Sequence, residues 1–340
     1  MTLSAFEMHM ARTGGVEVLQ GRTVVLDPPG AGEARVAIEA AGVAFADIVM
    51  RTGLYPGVKA PVTPGYDLIG RIEALGPDVE GFVIGQRVAA LTVTGSYADR
   101  RNVQARHLVA APEGVAAETL VAGVLNGLTA WQMFHRVASA QEGEWVLVHG
   151  AAGGVGGLLL DLARLAGVRA IGTASAGKRA VVEAKGGVYV DYRREPVAER
   201  ARAISGGGVV AAFDHVGGPH LKTASIAALR DGGTAVLYGG YDATRGGKMR
   251  PAALIRMLMA DRLSALKLFT ASQGVVGYNV TSWRDARPDV YRQDLAAVMA
   301  LIGSGQLSPQ LGATFPLAEA AKAQALLQSA GVAGKIVLKS

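Results

Sequence analysis

The stretch Trp145-Val-Leu-Val-His149-Gly-Ala-Ala-Gly-Gly154-Val-Gly-Gly157-Leu-Leu-Leu160-Asp-Leu-Ala-Arg-Leu165 decides the fold. A strand, Trp145–His149, runs straight into a turn of glycine and alanine, and an apolar helix follows. Small residues keep such a turn tight, let backbone N–H groups approach a pyrophosphate, and let the helix sit close to the strand. The positive helix end then faces the anion. A glycine triplet alone is weak evidence; strand before, helix after and repetition downstream make it specific to dinucleotide binding. Further strands are expected at Arg169–Thr173, Val188–Asp191, Val209–Asp214 and Thr234–Tyr238, with helices at Gly154–Ala166, Lys178–Lys185, Val197–Ile204 and Leu221–Leu229. A sixth strand, Val275–Val280, completes a doubly wound parallel sheet.

Preference for the adenosine half is written at the end of the second strand. Where NAD is the cofactor an acid usually stands there, about twenty residues past the glycine turn, to accept from the ribose hydroxyls. Here Gly172-Thr-Ala-Ser175-Ala-Gly-Lys178-Arg179 carries no acid before Glu183. A small hydroxyl followed by two cations suits a 2′-phosphate, Ser175 donating a hydrogen bond and Lys178 supplying charge. Cations at a helix start oppose its dipole, and a bound anion accounts for them better than a merely solvated surface.

Outward from this core the texture changes. Up to about Val121 the chain shows short β runs, Ala34–Glu39, Leu68–Leu75, Arg87–Leu91 and Leu108–Ala111, broken by Pro29-Gly30, Pro56-Gly57 and Pro64-Gly65. After the parallel sheet come a helix Asp289–Ile302, a helix Leu317–Ser329 and a strand Lys335–Leu338, expected to rejoin the β-rich part. The expected fold class is α/β, with a β-rich domain of residues 1–122 and 281–340 and a nucleotide-binding domain of residues 123–280. With 340 residues, half of them hydrophobic, there is material for two cores. A net charge of +6 comes without dense Lys/Arg tracts, so no nucleic-acid partner is expected. The absence of cysteine removes disulfides, thiolate catalysis and every zinc site that needs a thiolate. The apolar stretches Thr119–Phe134 and Trp145–Leu160 fall short of the roughly 18 residues of a membrane span. Glu7, His9 and Arg12 stand where an export signal needs its apolar stretch, and a soluble, cytoplasmic protein is expected.

Val146-Leu-Val-His-Gly-Ala-Ala-Gly-Gly-Val-Gly156, Gly42-Val-Ala-Phe-Ala-Asp47, Arg51-Thr-Gly-Leu-Tyr-Pro56 and Pro64-Gly-Tyr-Asp-Leu-Ile-Gly70 together resemble the zinc-free medium-chain dehydrogenase/reductases. More narrowly the chain resembles the quinone oxidoreductase and zeta-crystallin group, and Val146–Tyr241 is similar to the vesicle amine transport protein homologues. The resemblance implies a GroES-like catalytic domain and a Rossmann domain with NADPH in the cleft between them. It implies cofactor contacts from Thr129, Ala152, Gly153, Gly154, Val155, Ser175, Lys178, Tyr192, Val216, Gly239, Gly240, Val276 and Gly277, with Lys335 near a further basic position. Zinc-dependent relatives carry their ligands at positions matching Ala44, Tyr66 and Asn126, none of which suits the metal, and no metal is expected. Asp214, His215 and His220 form the one cluster resembling a ligand set, inside what resembles the family's cofactor-contacting turn.

The implied activity is NADPH-dependent hydride transfer, without metal, to a quinone or an α,β-unsaturated carbonyl. Tyr55, Asp47 and Asn126 are the candidate catalytic residues on the substrate side. Ala44 departs from the asparagine common in the group, and a methyl group cannot donate to a substrate carbonyl. The alternative is an NADPH-bound protein without catalysis whose partner is lipid or RNA. The sequence carries no G-x-S-x-G elbow, no Walker phosphate loop and no H-E-x-x-H. The uncharged sixth strand at the sheet edge points to a homodimer. The stretches Tyr241–Arg250 and Leu263–Ser272 are expected to form an irregular rim of the site.

Overall fold

A computed structural model of the chain describes residues 3–240, 263–329 and 332–340. Two units emerge, Met1–Leu128 with Thr281–Ser340, and Thr129–Val280. The first boundary falls after Leu128, inside the helix Ala117–Gln132, rather than after residue 122.

The first unit begins with a hairpin of β1 (Leu3–Met10) and β2 (Leu19–Leu26). Then come β3 (Glu33–Val43), β4 (Asp67–Leu75), β5 (Arg87–Leu91), β6 (Arg100–Gln104) and β7 (Leu108–Ala110). The pairing of β3 with β4 shifts register twice, between Arg35 and Val36 and between Ile38 and Ala40, which bends the strand in the way a partly closed sheet needs. The arginines of β6 hide it from a hydrophobic-pattern reading. They are placed by ion pairs to other elements, Arg100 to Glu73 (3.1 Å) and Arg101 to Glu7 (3.4 Å).

The second unit carries β8 (Trp145–Val148), β9 (Arg169–Ala174), β10 (Val188–Asp191), β11 (Val209–Asp214), β12 (Leu229–Leu237) and β13 (Gly274–Gly277). They form one parallel sheet in the order β10-β9-β8-β11-β12-β13. Leu147, Ile171, Val190, Val209, Ala212 and Ala235 lie at its core, as expected where both faces are covered. The order reverses direction between β8 and β11, and the glycine turn follows β8 at that switch point.

Three expected elements differ. Leu221–Leu229 is not an α-helix: a π-type turn, Leu221–Ser225, and a 3₁₀ turn, Ile226–Ala228, carry the chain into β12, which starts at Leu229 rather than Thr234. The sixth strand is the four residues Gly274–Gly277, because Tyr278 makes the last bond to Leu237 O (2.8 Å) and Val280 opens the helix Val280–Ala286. Leu263–Ser272 is not irregular throughout, since Ser264 Oγ accepts from Lys267 N (3.3 Å) and caps a helix, Ala265–Thr270. The expected rim Tyr241–Arg250 lies outside the described residues.

The closing elements belong to the first unit. The helix Pro288–Gly303 opens with proline, the 3₁₀ turn Leu317–Glu319 leads into the helix Ala320–Gln328, and β14 (Leu311–Pro316) pairs in parallel with β15 (Lys335–Lys339). β15 joins β3, giving the order β14-β15-β3-β4-β5-β7 with β6 also on β3. Among the described residues no helix is long and apolar enough to cross a membrane.

Candidate active site

The glycine turn of the second unit is built by close approach. Gly150 has φ +64°, and a Cβ there would stand 2.6 Å from His215 Cε1. A Cβ at Gly156 would meet Gly150 O and stand 2.8 Å from Ala151 Cα, so glycine sets how near helix and strand approach. Ala151 N and Gly153 N bond Thr173 O (3.0 Å) and Gly150 O (2.8 Å), fixing the turn from within. Gly153 caps the helix Gly154–Leu165 and offers no side-chain acceptor to its first turn. The leading N–H groups at Gly154 and Val155, with their positive helix end, are therefore suited to a phosphate oxygen.

Strand pairing assembles the second part of this site. Ala174 pairs with Asp191, so Ser175 and Tyr192 leave the sheet side by side at its carboxyl edge. Ser175 Oγ makes no hydrogen bond and Lys178 no ion pair among the described residues. Arg179 instead pairs with Glu183 at 2.8 Å. Tyr192 is 48% exposed, and Arg193, which the sequence did not single out, lies over its ring with Cζ 5.6 Å from the centroid.

The remaining expected contacts follow the ends of β11, β12 and β13. Val216 N donates to Asp214 Oδ1 (2.7 Å). A Cβ at Gly239 would lie 2.6 Å from His215 O, so that turn too is set by a close approach, with Gly240 next to it. Val276 and Gly277 are both exposed. Ala152 is buried in the glycine turn, and Thr129 is buried at the start of the unit, on the helix Ala117–Gln132. The ligand-like cluster is corrected: His149, Asp214 and His220, not His215, bring their donor atoms within 4.8 Å of one another. Those atoms are already hydrogen-bonded, Asp214 Oδ2 to Ser225 Oγ (2.6 Å) and His220 Nδ1 (3.0 Å), and His149 Nε2 to Ser225 Oγ (3.1 Å).

In the first unit the residues expected on the substrate side separate into different roles. Asp47 is fully buried, and its carboxylate accepts from Ala44 N (2.7 Å), Gly65 N (3.2 Å) and Tyr97 Oη (3.1 Å). It clamps two loops together, which corrects its expected place facing a substrate. Burial pushes its carboxyl up to about 7, against the pull of the Ala44 amide and of Lys335. Lys335 is corrected as well: 4% exposed on β15, it pairs with Asp67 Oδ2 at 3.2 Å, so its charge is already spent inside the sheet. Asn126 is half-buried on the helix Ala117–Gln132.

Tyr55 has partners that no local pattern revealed. Its hydroxyl lies 2.6 Å from Tyr66 Oη, which lies 2.5 Å from Thr281 Oγ1. Burial raises the Tyr66 phenol well above its usual value, so it stays protonated. The three hydroxyls form a file along which a proton can be handed.

The comparisons with known proteins agree with this architecture. Two family models match, an alcohol dehydrogenase GroES-like domain over residues 30–126 and a zinc-binding dehydrogenase over residues 186–338. The chain is 30% identical over 324 residues to the synaptic vesicle membrane protein VAT-1 homolog of Rattus norvegicus, covering 94% of this chain and 80% of that one. It is 30% identical over 338 residues to a quinone oxidoreductase of Pseudomonas aeruginosa, covering 98% and 99%. The solved Escherichia coli quinone oxidoreductase complexed with NADPH superposes with a TM-score of 0.86 at 25% identity, covering 98% and 100%. The residues here do not fit the zinc in the second model's name. The chain has no cysteine, Ala44 offers a methyl group, and Tyr66 is a phenol held between two other hydroxyls. The chain belongs to the medium-chain dehydrogenase/reductase family of oxidoreductases, in its quinone oxidoreductase group.

Proposed function

We propose that the protein reduces a quinone or an α,β-unsaturated carbonyl with NADPH and without a metal. The observation that carries the cofactor choice is the end of β9, where a hydroxyl and a cation without an ion pair, Ser175 and Lys178, stand in place of an acid. NADPH, when bound, supplies hydride to an electron-poor carbon. The chain's own work is to seat the pyrophosphate on the first turn of the helix Gly154–Leu165, to hold the 2′-phosphate at Ser175, Lys178 and Tyr192, and to deliver a proton from Tyr55. Turnover of NADPH against a panel of quinones, enones and enals tests the reading. Binding without reduction of any member would replace it with a non-catalytic NADPH-binding protein, the reading that the methyl group of Ala44 favours.

Loss of a charge-assisted contact costs roughly 1.5–3 kcal/mol, and partial exposure of Lys178 puts the effect toward the lower end. Lys178→Ala is therefore expected to weaken NADPH binding by about tenfold or more and to leave NADH unchanged. Titration of both cofactors checks this, and an equal loss for both would remove the phosphate role.

The reading includes a second copy of the chain. Strand β13 ends its sheet, Val276 on it is 38% exposed, and Phe269 on the preceding helix is 79% exposed. An uncharged apolar edge invites strand pairing with its like. Sedimentation as a 35.0 kDa species at micromolar concentration would contradict it.

A further inference from the structure

Four buried polar side chains that hydride transfer does not use line up between two turns at the carboxyl edge of the parallel sheet. Gly150 N donates to Thr173 Oγ1 (3.3 Å), which lies 3.4 Å from His149 Nδ1. His149 Nε2 lies 3.1 Å from Ser225 Oγ, which donates to Asp214 Oδ2 at 2.6 Å. On its other oxygen Asp214 accepts the amides of Val216 (2.7 Å) and Gly217 (3.0 Å). All four side chains are at most 2% exposed.

Counting protons gives the file a direction. An ionised carboxylate only accepts, so the one hydroxyl proton of Ser225 goes to Asp214, and Ser225 Oγ must accept from His149 Nε2–H. A neutral imidazole protonated on Nε2 presents a bare Nδ1, which accepts from the Thr173 hydroxyl. The Thr173 oxygen accepts in turn from Gly150. Every donor points the same way, from the glycine turn to the carboxylate, with no proton missing and none in conflict. The protonation states agree: burial pushes His149 down to about 3, and although burial alone would raise Asp214, the hydrogen bonds from His220 and Ser225 hold it below the usual carboxylate range. His220 joins from the solvent side, its Nδ1 3.0 Å from Asp214 Oδ2 and its side chain 28% exposed.

We propose that Thr173, His149, Ser225 and Asp214 act as one positioning unit, locking the glycine turn at Gly150 to the turn Val216–Gly217 so that the two turns meet the dinucleotide as one rigid surface. The proposal rests on the dinucleotide role of the glycine turn. Aligned hydrogen bonds in a low-dielectric interior polarise one another, so a break at any link weakens the rest.

The test is a double-mutant cycle of Thr173→Val and Ser225→Ala, read by dissociation constants for NADPH and NADH and by hydrogen exchange at the amides of Val216 and Gly217. Each single change is expected to weaken both cofactors by about tenfold and by the same factor, since the 2′-phosphate is not involved. The double variant should lose little more than the worse single one, because both interrupt the same file. Thr173→Val should also speed exchange at Val216 and Gly217, which it does not touch; if Ser225→Ala fails to fold, this measurement carries the test. Additive losses, or a lowered melting temperature with unchanged cofactor affinity and exchange, would overturn the unit while leaving dinucleotide binding intact. A wild-type protein that binds neither NADPH nor NADH would overturn both.

Discussion

Asp67→Ala is expected to destabilise the protein by roughly 3–5 kcal/mol, a large share of the 5–15 kcal/mol typical of a folded domain. Asp67 is fully buried and Lys335 is 4% exposed, with Nζ 3.2 Å from Oδ2. Removing the carboxylate leaves a buried ammonium without its ion-pair partner, and also leaves the Leu125 amide, now 3.0 Å from Asp67 Oδ2, without its acceptor. Gly42 shows how tightly the pair is enclosed, because a Cβ there would run into both Asp67 Oδ1 and Lys335 Cε. Lys335→Met should be destabilising to a similar degree, and it separates two roles for the lysine. If Lys335 served the 2′-phosphate, the change would lower affinity for NADPH but not for NADH and would cost little stability. If the buried pair is its role, the denaturant midpoint falls and the ratio of the two affinities stays where it was. Urea unfolding of both variants beside the cofactor titrations decides between them.

Lys335 also marks where sequence reasoning stops. Its partner is 268 residues away, and nothing near Lys335 distinguishes a buried cation from one near a phosphate. Tyr66 and Thr281, 215 residues apart, meet for the same non-local reason. By contrast the central parallel strands are legible, because Val209–Asp214 and Trp145–Val148 lie in a sheet covered on both faces and read as apolar runs. The glycine turn is legible because the close approaches at Gly150 and Gly156 admit almost nothing but glycine. The segment Leu221–Ser225 misleads because its spacing suits a helix, while Ser225 is held by Asp214 and His149 in a wider turn. Polar His149, directly after the apolar strand Trp145–Val148, is the one local sign of that buried file.

Tyr55→Phe is expected to lower turnover by about 100-fold while leaving NADPH affinity unchanged, since positioned acid catalysis contributes at least that much. Once hydride reaches the β-carbon of an activated alkene, negative charge collects on the carbonyl oxygen and the α-carbon takes a proton. With Ala44 unable to donate, the phenol of Tyr55 is the donor that this reading assigns. Tyr55 does not stand alone, because its hydroxyl is 2.6 Å from Tyr66 Oη and the file continues to Thr281. A phenol that has given up its proton can therefore be reprotonated through Tyr66, which burial keeps in its neutral form. Tyr66→Phe should then lower turnover less than Tyr55→Phe, by slowing reprotonation rather than removing the donor, and the two changes together should cost little more than Tyr55→Phe alone. Steady-state turnover with one enone, for both single variants and the double, measures all three. A loss of only a few-fold in Tyr55→Phe would assign the proton to water and leave Tyr55 a packing residue at its turn.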